Sequence, residues 1–196
     1  MNSVIKSVIT LLKDALFYVP AGCVWAAGIV LIIFTACMIY KFCFHREIRL
    51  IFLWKLFLLF LFIVYTYCIL QLTILSRPIA NYGGIDWRIL ARWNENTAQK
   101  AFLIANIIMF VPLGVLLPML CRWARHILLS MPAAVLCSIT IEAVQLKYQL
   151  GFCQLDDVIA NSTGFLIGFL IYLAAADIYC LMYGLYKLIS RMAAKD

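Results

Sequence analysis

The chain has 196 residues, of which 66% are hydrophobic and only 13% charged, and its formal net charge is +7. A soluble domain is about half apolar and about a quarter charged. Because lipid excludes charge and requires no burial of apolar surface, the composition excludes an ordinary soluble domain and predicts an integral membrane protein. Excess positive charge is typical of cytoplasmic loops that anchor topology, so nucleic acid is not expected as a partner.

Eight cysteines are present, and they predict neither a disulfide framework nor a zinc site. None belongs to a C-x-x-C pair, and most lie in apolar runs, where a thiol behaves as a small hydrophobic group. We therefore expect no cofactor.

Five segments are apolar over the ~20 residues that a helical span requires. They predict an all-α, polytopic membrane helix bundle, with spans at 20–42, 50–75, 101–121, 127–146 and 158–181. Residues 1–18 carry apolar side chains at helical spacing. This spacing predicts an interfacial helix on the membrane surface, with a disordered start as the alternative.

The short loops predict the orientation. Segments 41–49 and 122–126 and the tail are basic, and with five spans they share one side, which their positive charge assigns to the cytoplasm. The N-terminus and residues 147–157 are then expected outside. The polar stretch 76–100 is expected there too, lying against the outer surface rather than forming a domain.

Polar side chains within apolar spans are costly and need a reason. Ser138, Glu142 and Gln145 are spaced to share one face of the fourth span. The candidate binding residues, all predicted at the outer ends of their helices, are Arg77, Asn106, Glu142, Gln145, Asp156, Asp157 and Asn161. Since spans alternate in direction, convergence on one leaflet predicts one shared site.

Each candidate also has a purely structural interpretation. Asp156 and Asp157 at a helix start complement the helix dipole. Glu142, Gln145 and Asn106 are also suited to hydrogen bonds between helices. If the carboxylates do lie together in a low dielectric, one must be protonated or a cation must sit among them, from Arg77, a metal or a ligand.

The fifth span carries a stripe in which polar residues precede two glycines, Gly164 and Gly168. The G-x-x-x-G half predicts close approach of another helix. The polar half, Asp157 and Asn161, is expected to face the same neighbour. If that neighbour is the fourth span, these residues meet Glu142 and Gln145.

The same residues carry a resemblance to a known family. The matching blocks are TILSR at 73–77, NIIMFVPLGVLLP at 106–118, IEAVQ at 141–145 and LGFCQLDDVIANSTGFLIG at 150–168. Over residues 73–170 the chain resembles the VanZ-like family, bacterial membrane proteins linked to teicoplanin resistance, although Phe152 stands where some members carry Arg. The resemblance divides the chain into an N-terminal membrane region (1–72), a VanZ-like core (73–170) and a last segment with a cytoplasmic tail (171–196).

The resemblance implies a multi-pass protein of the bacterial cell membrane that lowers susceptibility to teicoplanin-type lipoglycopeptides. Its site would act at the outer leaflet. The expected partners are membrane lipids and the lipoglycopeptide or a lipid-linked cell-wall precursor, and a homo-oligomer remains open.

The alternative is a membrane enzyme that acts on a polyprenyl-phosphate or phospholipid headgroup. Glu142, Asp156 and Asp157 would hold a divalent cation or act as general acid and base, and Arg77 would neutralise phosphate. No evident nucleophile accompanies these residues, so the non-enzymatic interpretation is favoured.

Overall fold

The computed structural model describes residues 2–44, 50–80, 83–89 and 96–193, which form an almost entirely helical bundle. The helices are α1 (Asn2–Phe17), α2 (Val19–Phe44), α3 (Leu50–Leu70), α4 (Thr97–Leu120), α5 (Ile127–Lys147) and α6 (Leu155–Ala193). Five helical stretches in this part of the chain are long and apolar enough to cross a membrane, with α1 and α2 together making the first. The predicted all-α, multi-pass bundle is confirmed.

The predicted fifth span differs from α6 at both ends. The helix begins at Leu155 rather than near residue 158, because the acids in its first turn complement the helix dipole and allow it to start before the apolar run. It continues past residue 181 to Ala193. At 1.5 Å per residue this helix is about 58 Å long. It therefore exceeds the ~30 Å hydrocarbon core of a bilayer, and part of it extends beyond a span.

Helix α6 packs against both α4 and α5. A Cβ atom on Gly164 would overlap the backbone carbonyl oxygen of Ile107, and one on Gly168 would overlap that of Val111. The close neighbour of the G-x-x-x-G pair is therefore α4. The expectation that the glycines and the polar half of the stripe face one helix was wrong, because α6 lies between two helices and successive turns meet different partners.

Aromatic and aliphatic side chains fill the centre of the bundle. The buried core cluster consists of Ile69, Phe110, Ala134, Ile141, Phe165 and Phe169. Above this core, toward the end of α5 and the start of α6, the buried side chains become polar. The core thus fixes the helices that position the candidate site.

The described part of the polar stretch 76–100 is attached to the loop between α5 and α6. Two-residue strands, β1 (Ile85–Asp86) and β2 (Cys153–Gln154), pair in parallel, with Ile85 opposite Cys153. Further hydrogen bonds join Ala80 N to Gln149 O at 2.7 Å and Cys153 N to Gly84 O at 2.9 Å. Two loops that are distant in sequence therefore form one layer over this end of the bundle.

Helix α1 also lies at this end. A turn at Tyr18 separates it from α2, and α1 packs against α4 rather than extending α2. The predicted N-terminal helix is present. Leu11 and Ala15 face α3 and α4 across a shared cavity, whereas Ile5, Ile9 and Leu16 are exposed.

Candidate functional site

Five of the seven candidate residues are almost completely buried. Their exposed fractions are 3% for Glu142, 2% for Gln145, 4% for Asp156, 4% for Asp157 and 2% for Asn161. Three carboxylates and two amides therefore lie inside a helix bundle whose other buried side chains, among the described residues, are apolar apart from Thr73, Ser130 and Ser138. Burial of this kind is costly unless each group is hydrogen-bonded or paired.

Gln145 connects α5 to the end of the second span. The chain after α3 widens into a π-helical turn, Gln71–Leu75, which contains the buried Thr73. Backbone carbonyl groups in a last helical turn lack partners further along the helix. Gln145 Nε2 donates a 3.0 Å hydrogen bond to Thr73 O and satisfies one of them.

Glu142 connects α5 to the loop that leads into α6. Its Oε2 atom accepts a 2.9 Å hydrogen bond from the backbone N–H of Gln154, in strand β2. The loop reaches this position through two residues with positive φ, Gln149 at 54° and Gly151 at 150°. Gly151 suits this conformation because glycine has no Cβ atom to clash there.

Nearby charges affect the pKa of the Cys153 thiol. Burial raises the pKa of this thiol above its ordinary value, and the negative charges of Glu142 and Asp157 raise it further. Glu142 bonds to the backbone N–H of Gln154, the residue after Cys153, and Asp157 lies in the first turn of α6, four residues after Cys153. Glu142 on α5 and Asp157 on α6 therefore belong to one electrostatic environment.

Asn161 connects α6 to α5 one turn deeper. Its Nδ2 atom and Ser138 Oγ are 2.8 Å apart in a buried hydrogen bond. Ser138 is fully buried, and it shares a helix face with Glu142. The polar half of the α6 stripe thus meets α5, while the glycine half meets α4.

Arg77 shares a cavity with Asp157 but forms no ion pair in the part of the chain that the structure describes. Its Nε atom lies 3.4 Å from Leu72 O, to which it donates. One terminal nitrogen would be 3.8 Å from a Cβ atom on Gly151. The guanidinium therefore sits at the loop and retains the ability to bind an anion.

A cavity of about 760 Å³ opens between these elements. Three candidate residues line it, Arg77, Asn106 and Asp157. Further polar lining comes from Asp14, Ser76, Gln99 and Gln154. Glu142, Gln145, Asp156 and Asn161 are not among the lining residues. Glu142 and Gln145 bond to backbone groups of Gln154 and Thr73, and Asn161 bonds to the Ser138 side chain one turn deeper.

Several buried polar atoms of the described residues lack a hydrogen-bond partner. They are Gln145 Oε1, Gln154 Oε1, Asn161 Oδ1 and Ser162 Oγ. Three of these atoms are amide oxygens, which only accept hydrogen bonds. The surroundings of Glu142 and Asp157 are therefore rich in hydrogen-bond acceptors, and they suit a group that carries hydrogen-bond donors.

Within the described ranges, no three His, Cys, Asp or Glu side chains are grouped as ligands of one metal ion would be. His126 immediately precedes α5, and Glu142 lies near the other end of that helix, so the imidazole is remote from the site. Among the described residues, Glu142, Asp156 and Asp157 are therefore not grouped as ligands of one metal ion, and His126 does not lie beside them.

Sequence reasoning missed the contribution of α1 and of two backbone segments. Asp14 was visible as the one acid in residues 1–18, but its placement depends on how α1 folds against α4. Thr73 and Gln154 contribute a backbone carbonyl and a backbone N–H, respectively. Backbone groups leave no trace in a side-chain pattern.

Apolar helices long enough to cross a membrane, with buried polar side chains around a cavity at one end, are the architecture of a multi-pass membrane protein with a candidate site between its helices. A family model described as VanZ/LLP1 matches residues 32–176, and the chain belongs to this family. The match begins within the first predicted span, so the expectation that the resemblance starts at residue 73 was too narrow. No curated protein and no solved structure matches the chain.

Proposed function

We propose that this protein acts at the outer leaflet of the cell membrane, where its cavity binds the polar headgroup of an amphiphile. The amphiphile is a membrane lipid or a teicoplanin-type lipoglycopeptide, and binding lowers susceptibility to the antibiotic. The observation that carries the proposal is the 760 Å³ cavity, which is lined by Arg77, Asn106 and Asp157.

Charge of both signs in one cavity supports headgroup binding. Asp157 is 4% exposed and Arg77 is half-buried, so both are partly withdrawn from water. Hydrogen bonds to charged groups contribute about 1.5–3 kcal/mol, roughly twice the value for neutral pairs. Ionisable residues at membrane depth mark binding sites or ion pathways more often than structural positions.

The charge of the loops supports a position at the outer leaflet. The cavity lies at the end of the bundle where α5 ends and α6 begins. The opposite end carries Arg122 and Arg125 between α4 and α5, and positive charge favours the cytoplasm. The site thus faces the side on which a lipoglycopeptide meets the cell.

A binding role is also favoured over catalysis. Glu142 and Gln145 are already engaged with backbone groups of neighbouring segments, which suits residues that hold a site in shape. Ser76, which lines the cavity, donates to the side-chain oxygen of Gln71 and not to a base. A rigid site with charged walls is what headgroup recognition requires.

The test uses Glu142→Gln and Asp157→Asn in a teicoplanin-sensitive host that expresses the chain. Both changes keep the shape and remove the charge. We expect each variant to be present at wild-type abundance and to lose the protection that the wild type gives, measured as the minimal inhibitory concentration. The matched control is Asp177→Asn, which changes an exposed acid of α6 far from the cavity and should retain full protection.

Full protection by both site variants at normal abundance would refute the proposal. A double variant no more sensitive than either single variant would support one shared site, because residues that act as a unit are not additive.

A further inference from the structure

A second, apolar cavity continues from the first toward the middle of the bundle. It has a volume of about 260 Å³ and lies between α1, α3 and α4. Its walls include Leu12, Ala15, Cys68, Ala105 and Met109. We call this cavity the chamber, and the 760 Å³ cavity the mouth.

The mouth and the chamber form one cleft because they share lining residues. The shared residues are Leu11, Leu72, Arg77, Phe102 and Asn106. Arg77 and Asn106 thus lie at the boundary, with charged and amide groups on one side and hydrocarbon on the other. The cleft is therefore polar at one end and apolar at the other, as an amphiphile is.

The lining of the mouth includes charged side chains of both signs. Arg77 provides a cation, while Asp157 and Asp14 provide carboxylates. The buried Oε1 atom of Gln154, on the same wall, has no donor among the described residues. An anion fits beside Arg77, and a group that carries both positive charge and N–H donors fits beside Asp157 and Gln154.

We propose, building on the headgroup-binding function above, that the cleft holds one acyl chain of a phospholipid whose headgroup carries a phosphate and a primary ammonium. The phosphate binds Arg77, the ammonium binds at Asp157 and Gln154 Oε1, and the chain fills the chamber under α1. This assignment names the ligand by its chemistry and adds the chamber to the site.

The headgroup supplies the selectivity. Hydrocarbon in the chamber is no more favourable than hydrocarbon in the bilayer, because lipid tails are as apolar as the side chains that line the chamber. Charge-assisted hydrogen bonds to the phosphate and ammonium are formed only in the mouth. The chamber sets the position of the chain, and the mouth sets the preference among lipids.

The experiment uses the purified full-length protein in detergent and lysophosphatidylethanolamine that carries a diazirine at the end of its acyl chain. After photolysis, peptide mass spectrometry should locate the cross-links on chamber residues such as Leu12, Cys68 and Met109. Ala105→Phe fills the chamber and should abolish these cross-links. Ala175→Phe adds the same ring at an exposed position of α6 and should leave them unchanged.

Competition tests the headgroup. Unlabelled lysophosphatidylethanolamine should displace the probe roughly tenfold more effectively than lysophosphatidylcholine, which lacks N–H donors, or lysophosphatidylglycerol, which lacks the ammonium. Equal competition by the three lipids would overturn the headgroup assignment. Cross-links confined to exposed, lipid-facing residues would overturn the assignment of the chain.

A substitute variant and one further result complete the test. If Ala105→Phe does not fold, Ala15→Phe places the ring from α1 at the edge of the chamber and tests the same prediction. If the chamber is not cross-linked while Glu142→Gln still abolishes protection in cells, the inference fails and the proposed function stands.

Discussion

Gln145 Nε2 and Thr73 O are joined by a 3.0 Å hydrogen bond across 72 positions of sequence. Thr73 lies in the π-helical end of the second span, five residues before Pro78, which has no N–H to offer its carbonyl. The bond therefore connects the TILSR and IEAVQ segments directly. It also anchors the segment from which Arg77 reaches the mouth.

Replacing Gln145 by Leu should destabilise the protein. The substitution keeps the approximate volume and leaves the Thr73 carbonyl without its donor, which costs about 1–2 kcal/mol for a bond between helices in a membrane. We expect a lower midpoint of thermal unfolding for the protein in detergent. Thr140→Val on the same helix is the control, because Thr140 Oγ1 bonds only within α5, to Leu136 O, and is exposed. Equal midpoints for the two variants would show that the bond contributes nothing.

The two glycines Gly164 and Gly184 of α6 should respond in opposite ways to alanine. A Cβ atom at Gly164 overlaps the Ile107 carbonyl, whereas one at Gly184 meets no atom within 4 Å. Gly164→Ala should cost about 1–3 kcal/mol through overpacking. Gly184→Ala should stabilise the helix by roughly 0.5–1 kcal/mol, since alanine favours helix more than glycine does.

The measurement is the fraction of folded, monodisperse protein after heating in detergent, compared with the wild type. Similar behaviour of the two alanine variants would contradict the close contact between α4 and α6.

The reactivity of Cys153 should depend on the charge of Glu142. Burial is the larger cause of the raised thiol pKa, and the carboxylates Glu142 and Asp157 add to it. Because the thiolate is the reactive form, Glu142→Gln should move the pH midpoint of Cys153 modification downward. The midpoint should stay above the ordinary value for a thiol, because the burial remains.

A methanethiosulfonate reagent and a chain that retains only Cys153 provide the measurement. Asp177→Asn in the same background should not move the midpoint. An unchanged midpoint in Glu142→Gln would separate Glu142 from Cys153 and argue against one electrostatic environment.

The orientation of the site can be tested by thiol labelling in intact cells. In a cysteine-free chain, a cysteine in place of Ser76, at the mouth, should react with an impermeant maleimide from outside. A cysteine in place of Arg122, at the other end, should react only after the membrane is opened. The reverse pattern would place the cleft on the cytoplasmic side and refute action at the outer leaflet. Tyr82 and Arg46, in the predicted outer and cytoplasmic loops, would suit the same test but lie outside the described residues.

Composition and apolar run length were sufficient to predict a bundle of five spans, because each span must satisfy its own backbone in lipid and so depends only on local sequence. Helical spacing also predicted that Ser138, Glu142 and Gln145 share a face. The structure directs that face at Thr73, Gln154 and Asn161. The residues that a helix face contacts depend on the helix and on the neighbour that packs against it. The pattern within one segment describes only the helix.

Tertiary structure alone decided which neighbour each part of α6 meets, and how the mouth and the chamber are built. Gly164 packs on α4 while Asn161 bonds to α5, although one turn of helix separates them. The chamber exists because α1 turns at Tyr18 and packs against α4. The sequence determined the apolar lengths and the polar positions. Packing between helices determined the cleft, since a cavity is the space left by several elements and is encoded in none of them singly.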